Sequence, residues 1–543
     1  MTAVTPAAAG AVSRGLGRDA FLVSVCTLFS RLTGFVRVVA TAAVLGSGVL
    51  ADVYQTANMI PNLLFELVAG GVLQAVLVPS FVAARRGDGD RGLGSATSAT
   101  LSVVLVGLGL VTLVGMLLSP LLARLMVVAE PAASLADDKV RLMVPMVLVF
   151  VPQLVCYGVA MVTSAALNAR GRYVAAALAP AVNNVVVITA CVLFRAARDG
   201  APADLDLTTV QFLLIAGGTT AGVVAFGLAP AAALRWSGVH FWPRWNRDHP
   251  AVVSLRRSFG WATLSIVGTL VPTAAALAIG NGAPGGVAVF VYAFAFYVLP
   301  HSLIAVTTAT ALAPRVAEAW QSGRVREVRS AIDGSMSAVL PLLGVAAAAM
   351  IALSWPVARL VGGVGQTASQ GLGPIAHTLA AFGPGLLGYG VSFVMLRVLL
   401  ALDDVRRAST LTVLGGVVGV IVMSVLASVF APADRAVALA LGYGAAQSVV
   451  GALLSVRVRR LTGAMTVSRV AGLTVETALA AAFALVTMWS ATLAFGSSRA
   501  ASLLALVVGG VTGAAVFILV MVLLRGRALT DRLPLLRPGM RRR

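Results

Sequence analysis

The chain has 543 residues, 59% of them hydrophobic and 11% charged, with a formal net charge of +20. Apolar stretches of about 20–30 residues recur along its length, which excludes a soluble globular domain and marks a polytopic membrane protein. The positive charge sits mostly in short loops between those stretches, where it reads as orientation signal and not as a nucleic-acid footprint.

The first stretch, 20–46, is not a cleaved signal: it is too long, holds arginines, and lacks a small-residue cleavage pattern followed by a soluble domain. It contains "SRLTGFVRVVATAAVLG" (30–46), with Arg31 and Arg37 far from either end. A charge at mid-bilayer costs several kcal/mol, from about 2.5 to above 10. Six residues separate the two, roughly 9 Å along a helix and about 120° around it. Ser30, Gly34 and Arg37 share one face, and Gly34 leaves room for close approach. Two readings stand: a hydrated cavity holding an anion, or structural ion pairs with Glu66 or Asp52. Guanidinium binds phosphate bidentately and keeps its charge at any pH, which favours an anionic cargo.

The second stretch, 51–82, carries "DVYQTANMIPNLLFELVAGG". Asn58, Asn62 and Glu66 recur at every fourth residue and line one helical face. Pro61 removes a backbone donor and predicts a kink, and Gly70-Gly71 adds a second flexible point. These features suggest one wall of a gated cavity.

Twelve further stretches follow, at 96–127, 140–168, 173–196, 208–234, 254–280, 285–316, 332–362, 373–402, 407–431, 435–458, 468–495 and 499–524. Asn183-Asn184 after Pro180 and His301 after Pro300 place more polar groups in spans five and eight. Interhelical hydrogen bonding is favoured there over ligand contact. Arg397 lies a few residues inside the end of span ten, where snorkelling and function explain it equally. Arginine-rich loops alternate with arginine-poor ones, so both termini are expected in the cytoplasm, as an even span number requires. The segment "HFWPRWNRDHP" (240–250) reads either as a helix lying on the membrane face or as a basic linker with interfacial tryptophans.

Residues 152–169, "PQLVCYGVAMVTSAALNA", resemble 384–401, "PGLLGYGVSFVMLRVLLA", and "LVPSFVAA" (77–84) resembles "LAPRVAEA" (312–319). The two offsets, 232 and 235, nearly agree and place span four over span ten and span two over span eight. The expected architecture is therefore all-α, with about fourteen transmembrane helices. A cytoplasmic tail (1–19) precedes a six-span lobe (20–235), a basic aromatic linker (236–253), a parallel second lobe (254–460), two further spans (461–524) and a basic tail (525–543). Parallel repeats around a central cavity suit alternating access.

Cys26, Cys156 and Cys191 fall within apolar runs without metal or disulfide spacing, and the four histidines are scattered, so no metal or cofactor is expected. Nothing resembles a P-loop or an acid–base pair at a water-facing site. The chain reads as a transporter, not an enzyme.

The stretches "SRLTGFVR" with "AD", "IPNLL", "VPSFVA" and "VPQLVCYGV…ALNARGRYVAAALAPAVNNVVV" resemble the MurJ (MviN) lipid II flippases of the MOP exporter superfamily, in their actinobacterial form. The likeness covers most of the chain and loosens after about 405. It implies a multi-pass protein of the bacterial cytoplasmic membrane that moves undecaprenyl-diphosphate disaccharide-pentapeptide to the outer leaflet by alternating access. A membrane potential or a Na or H gradient is implied as driving force, and cell-wall or division proteins as partners. Its motifs carry over to Arg31 and Arg37 with Ser30 and Gly34 beside them, to Asp52 and to Pro61-Asn62; with Glu66 and Arg397, residues Ser30, Arg31, Arg37, Asp52 and Asn62 are the expected substrate contacts, and Gly34, Pro61, Gly70 and Gly71 the expected hinges. Three positions depart: Val38 stands where many members have an acid, and Phe65 and Ala295 where they have arginines. Arg397 or His301 are the candidates to compensate. Two alternatives remain: a flippase for another polyprenyl-diphosphate glycan, and a transport-inactive scaffold for cell-wall enzymes. An organic-cation antiporter would want acids, not arginines, in its cavity.

Overall fold

The computed structural model describes residues 6–69, 72–199, 204–257, 261–363 and 365–525, and its regular structure there is entirely helical. The chain divides into two compact units, 1–266 and 267–543. The first holds α1 (Pro6–Leu45), α2 (Val49–Ala69), α3 (Val72–Leu117), α4 (Ser119–Met126), α5 (Ala133–Phe150), α6 (Gln153–Ala169), α7 (Tyr173–Arg198), α8 (Thr209–Trp236) and α9 (Pro250–Arg257). Next, α10 (Trp261–Gly280) runs across the division. The second unit continues with α11 (Gly286–Gln321), α12 (Val325–Ala352), α13 (Ser354–Gly362), α14 (Gly373–Phe382), α15 (Gly385–Ala401), α16 (Val405–Val429), α17 (Arg435–Thr462), α18 (Val467–Phe495) and α19 (Arg499–Arg525).

A lipid-exposed backbone must satisfy its own hydrogen bonds, which is why long apolar sequence becomes helix here. Eleven helices among the described residues are long and apolar enough to span a membrane, or twelve if the bent pair α14–α15 is one span. The other two expected spans, 51–82 and 254–280, run across the undescribed residues 70–71 and 258–260.

Several expected single spans are built from two pieces. The breaks fall at Leu118, Val151-Pro152, Leu353 and Gly383-Pro384, each with a proline at or within three residues after it. Proline lacks the N–H of the interrupted turn yet fits the first turn of the next helix, so it places these breaks. The α14–α15 bend is 46°. Pro152 and Pro384 hold the same place in the two similar stretches read from the sequence, 152–169 and 384–401. The loop read between spans two and three shrinks to a break in α3 at Asp88 and Gly89, where Gly89 has φ 55° and ψ −140°, open to glycine and few others.

In the first unit α1 packs along α7, α3 along α6, and α8 against α6 and α7. In the second, α17 packs between α15 and α16, while α18 and α19 pair and lie on α12 through Ala348, Ala480, Ala484, Met488 and Phe517. One close helix approach is glycine on glycine: a Cβ on Gly385 would sit 2.4 Å from the Gly444 Cα.

Residues 240–249 form no helix; the chain is irregular there and then turns into α9. This settles the two linker readings against a surface helix. Proline and three aromatic or β-extended neighbours disfavour helix there, and the strap gains tertiary bonds: Trp242 N–H donates to Ser98 Oγ (3.1 Å) and Arg244 N–H to the Ser98 carbonyl (3.3 Å). His249 starts α9, its carbonyl accepting from Val252 and Val253 and its Nδ1 accepting from Ala251 N–H at 3.3 Å.

Gly385→Val should force α15 off α17 at a cost of about 1–3 kcal/mol, as overpacking does elsewhere. Gly107→Val, with nothing within 4 Å of its Cβ, should not. Thermal unfolding in detergent, followed by size-exclusion fluorescence, separates the two. A second expectation concerns His249, whose partial burial holds its imidazole below the ordinary 6.5. The neutral ring is the one that accepts from Ala251, so its contribution is complete above about pH 6.5 and is lost as pH falls through the lowered value. Amide-exchange protection at the start of α9 should drop as pH falls below about 6.5, and His249→Asn should remove that dependence.

Candidate functional site

The arginine-bearing turns of α1 lie in the first unit with both side chains half-buried, while Ser30 is buried. The neighbour of α1 is α7, and Asn184 is the contact: its Nδ2 donates to the Ser30 carbonyl (3.2 Å) and to Thr33 Oγ1 (3.1 Å). A Cβ on Gly34 would lie 3.4 Å from the same amide, so the glycine is where Asn184 reaches α1. The interhelical bond expected of the Asn183-Asn184 pair is thus made by Asn184.

One helical turn on, Arg37 is half-buried, its carbonyl accepting from Thr41 Oγ1 at 2.8 Å. It forms no ion pair among the described residues, so the structural pairing with Asp52 or Glu66 is not made by Arg37. Polar side chains on neighbouring helices satisfy one another. Tyr54 Oη and Thr219 Oγ1 are 2.8 Å apart, Gln153 Nε2 donates to Thr220 Oγ1 at 2.8 Å, and Tyr157 Oη donates to Gln153 Oε1 at 3.4 Å. Thr41 Oγ1 lies 3.9 Å from Cys191 Sγ. These pairs link α1 to α7, α2 to α8 and α6 to α8 through polar side chains within the first unit.

Along α2 the predicted stripe changes character from one end to the other. Asp52 is fully enclosed in the first turn, where the helix N-terminus favours a carboxylate. Asn58 and Asn62 are half-buried and Glu66 is exposed. The helix continues through Pro61, and Asn62 Nδ2 donates to the Asn58 carbonyl at 2.7 Å, beside the turn whose bond the proline cannot make. Phe65, standing where an arginine was expected by resemblance, packs on Tyr157 with ring centroids 5.3 Å apart. Gly70 and Gly71 lie outside the described residues.

Arg397 belongs to the second unit. Its guanidinium lies 5.3 Å over Phe393, and Phe393 meets His301 edge-on at 5.2 Å. His301 is 3% exposed and stacks on Tyr389 at 3.6 Å. Among the described residues the His301 Nδ1 is buried without a hydrogen-bond partner, and the ring is held by stacking on Tyr389. The two residues named as candidates to replace missing arginines therefore bracket one phenylalanine. Ala295 lies half-buried on the same helix as His301. Tyr157 and Tyr389, which match in the two similar stretches, sit in these two polar-aromatic centres. That shared tyrosine was the signal in the sequence; Tyr54, Gln153, Thr219 and Thr220 carried none.

The family described as "Lipid II flippase MurJ" matches residues 41–521. The probable lipid II flippase MurJ of Rhizobium tropici is 32% identical over 426 residues, 76% of each chain. The lipid II flippase MurJ of Burkholderia cenocepacia is 26% identical over 463 residues, 82% of this chain and 84% of its own. Among solved structures, a lipid II flippase MurJ in an inward closed conformation superposes with a TM-score of 0.70 at 17% identity, covering 95% of this chain and 100% of that one. An inward-facing multidrug MATE transporter of the MOP superfamily reaches 0.60 at 16% identity, covering 81% and 99%. On the breadth of these matches this multi-pass membrane protein belongs to the lipid II flippase MurJ family.

Proposed function

We propose that this chain moves lipid II from the inner to the outer leaflet of the bacterial cytoplasmic membrane by alternating access, with Arg31 and Arg37 holding the diphosphate. The observation that supports the reading is Arg37, a permanent cation half-buried within an apolar bundle that makes no ion pair among the described residues. A guanidinium in that position costs several kcal/mol, roughly 2.5 or more, unless an anion or water meets it. A diphosphate offers the bidentate oxygens it prefers. The family's name supplies the cargo: lipid II is the diphosphate-linked cell-wall precursor its members are named for.

Several finer assignments belong to the same proposal. Both termini face the cytoplasm, supported by the arginine-rich alternate loops. Asn62 and Glu66 contact the head group as it enters, and Asp52 acts from within the protein by holding the start of α2. Arg397 and His301 supply the polar site of the second unit. A membrane potential or a Na or H gradient drives the cycle, cell-wall or division proteins are partners, and no covalent chemistry is performed.

The test is made in cells. The protein is depleted, and lipid II is divided into leaflet pools with an enzyme that cleaves head groups from outside only. Depletion should leave lipid II accumulated and inaccessible. Arg31→Ala and Arg37→Ala should each lower outward flux about 10- to 100-fold, the loss of a charged hydrogen bond of about 1.5–3 kcal/mol. Arg37→Lys should recover part of it. An unchanged outer pool on depletion would point to another polyprenyl-diphosphate glycan or to a scaffold.

A further inference from the structure

Three tryptophans cluster by sequence about the end of α8 and the strap after it, and all face outward. Trp236 is 86% exposed, Trp242 69% and Trp245 53%. Seven tryptophans occur in the whole chain, so nearly half are set here. The strap does not hang loose. Val239 is fully buried and Phe241 packs on the same core, while Ala251 and Leu255 of α9 close the other end. Between these anchors Ser98 of α3 holds the backbone of Trp242 and Arg244. Gly94 lets the strap lie flat: a Cβ there would meet the His240 carbonyl at 2.5 Å. The fold thus spends a glycine, a serine and two backbone donors on presenting indoles away from the protein.

Arginines alternate with those indoles. Arg235, Arg244 and Arg247 are exposed, and the Arg247 guanidinium lies 5.0 Å over the Trp245 ring. Asp248 is the only acid in 235–250. Nearby opens a cleft of about 470 Å³ lined by Leu167, Tyr173, Leu178 and Ala233 with Arg172 at its wall. The cleft and the strap share one core, since Leu167, Ala233 and Phe241 pack in the same cluster. Exposed indoles with basic neighbours match a bilayer interface, where the ring sits at head-group depth. An apolar cleft walled by an arginine matches a chain beneath a phosphate.

The geometry points to a binding site for anionic phospholipid: the Arg235–Arg247 segment seats on the membrane face, its three arginines select a negatively charged head group, and the cleft beside it takes an acyl chain. This site is separate from the α1 arginines and does not depend on what the protein transports. Basic residues near a surface attract anionic lipid by roughly fivefold each, so three should produce a clear preference.

The full-length protein is placed in nanodiscs containing brominated phosphatidylglycerol or brominated phosphatidylcholine at equal mole fraction. Tryptophan quenching is read as the difference between wild type and the Trp236→Phe/Trp242→Phe/Trp245→Phe variant, which isolates the strap from the other indoles. The strap signal should be quenched at least about twofold more by the anionic lipid. Arg235→Gln/Arg244→Gln/Arg247→Gln should keep quenching but equalise the two lipids. Equal quenching in the wild type would reduce the strap to ordinary interfacial aromatics and overturn the proposal. A preference that survives the arginine substitutions would overturn it as well, as would a strap signal that neither lipid quenches.

Discussion

A guanidinium cannot shed its charge, and the first unit is arranged around that fact. A buried lysine or carboxyl can turn neutral when an apolar bundle closes on it, but Arg37 cannot. Its surroundings must supply dipoles instead. Tyr54, Gln153, Tyr157, Thr219 and Thr220 come from three helices, and their hydroxyls and amide are mostly paired among themselves at 2.8 to 3.4 Å. Each of those groups would itself be costly in hydrocarbon without a partner. The same constraint is met differently at Lys139, whose ammonium is fully buried 2.6 Å from the Glu130 carboxylate. There a pair closes the account inside the protein. At Arg37 no carboxylate among the described residues does; on the proposed reading the diphosphate takes that place.

Both units solve a second problem with one device. A span that must bend cannot lose backbone bonds to lipid, so its breaks are placed at prolines, where one donor is already missing. Pro152 and Pro384 stand at corresponding breaks, followed by Tyr157 and Tyr389 at the same spacing. The filling then diverges. In the first unit the tyrosine meets an amide and a phenylalanine. In the second it stacks on His301 and shares a cluster of Phe290, Phe294, Tyr297, Phe382 and Tyr443. One scaffold thus carries a polar centre in one copy and an aromatic one in the other.

Much of this was legible in the residues, and what was not has physical causes. Hydropathy fixes where helices lie because a single apolar run has few other uses. Asn184 was legible as a bond between helices, because an amide inside an apolar span must find a partner. The breaks within spans were not, since Pro61, Pro145, Pro180 and Pro341 sit inside continuous helices while Pro152 and Pro384 do not. Local sequence is alike in both cases; neighbouring helices decide. Nor could spacing show that α1 packs along α7, which is what brings Thr41 to Cys191. Helical periodicity names the face a residue occupies and says nothing of the helix that face will meet. The linker shows the converse. Its tryptophans and arginines were conspicuous, but its irregular course depends on Ser98 and Gly94, more than 140 residues earlier.

Phe65, where the resemblance implies an arginine, leaves no hole: it packs on Tyr157, whose hydroxyl donates to the Gln153 amide oxygen. In the second unit a cation lies at Arg397, its guanidinium over Phe393, which meets His301 edge-on. On the proposed reading, diphosphate recognition in this chain then rests on fewer cations with firmer aromatic support. The sugar and lipid portions of the cargo would meet rings where other sequences of the family offer charge. Aromatic faces bind the apolar faces of sugars without fixing them as an ion pair would. A carrier that must release its cargo on the far side gains from that weaker hold.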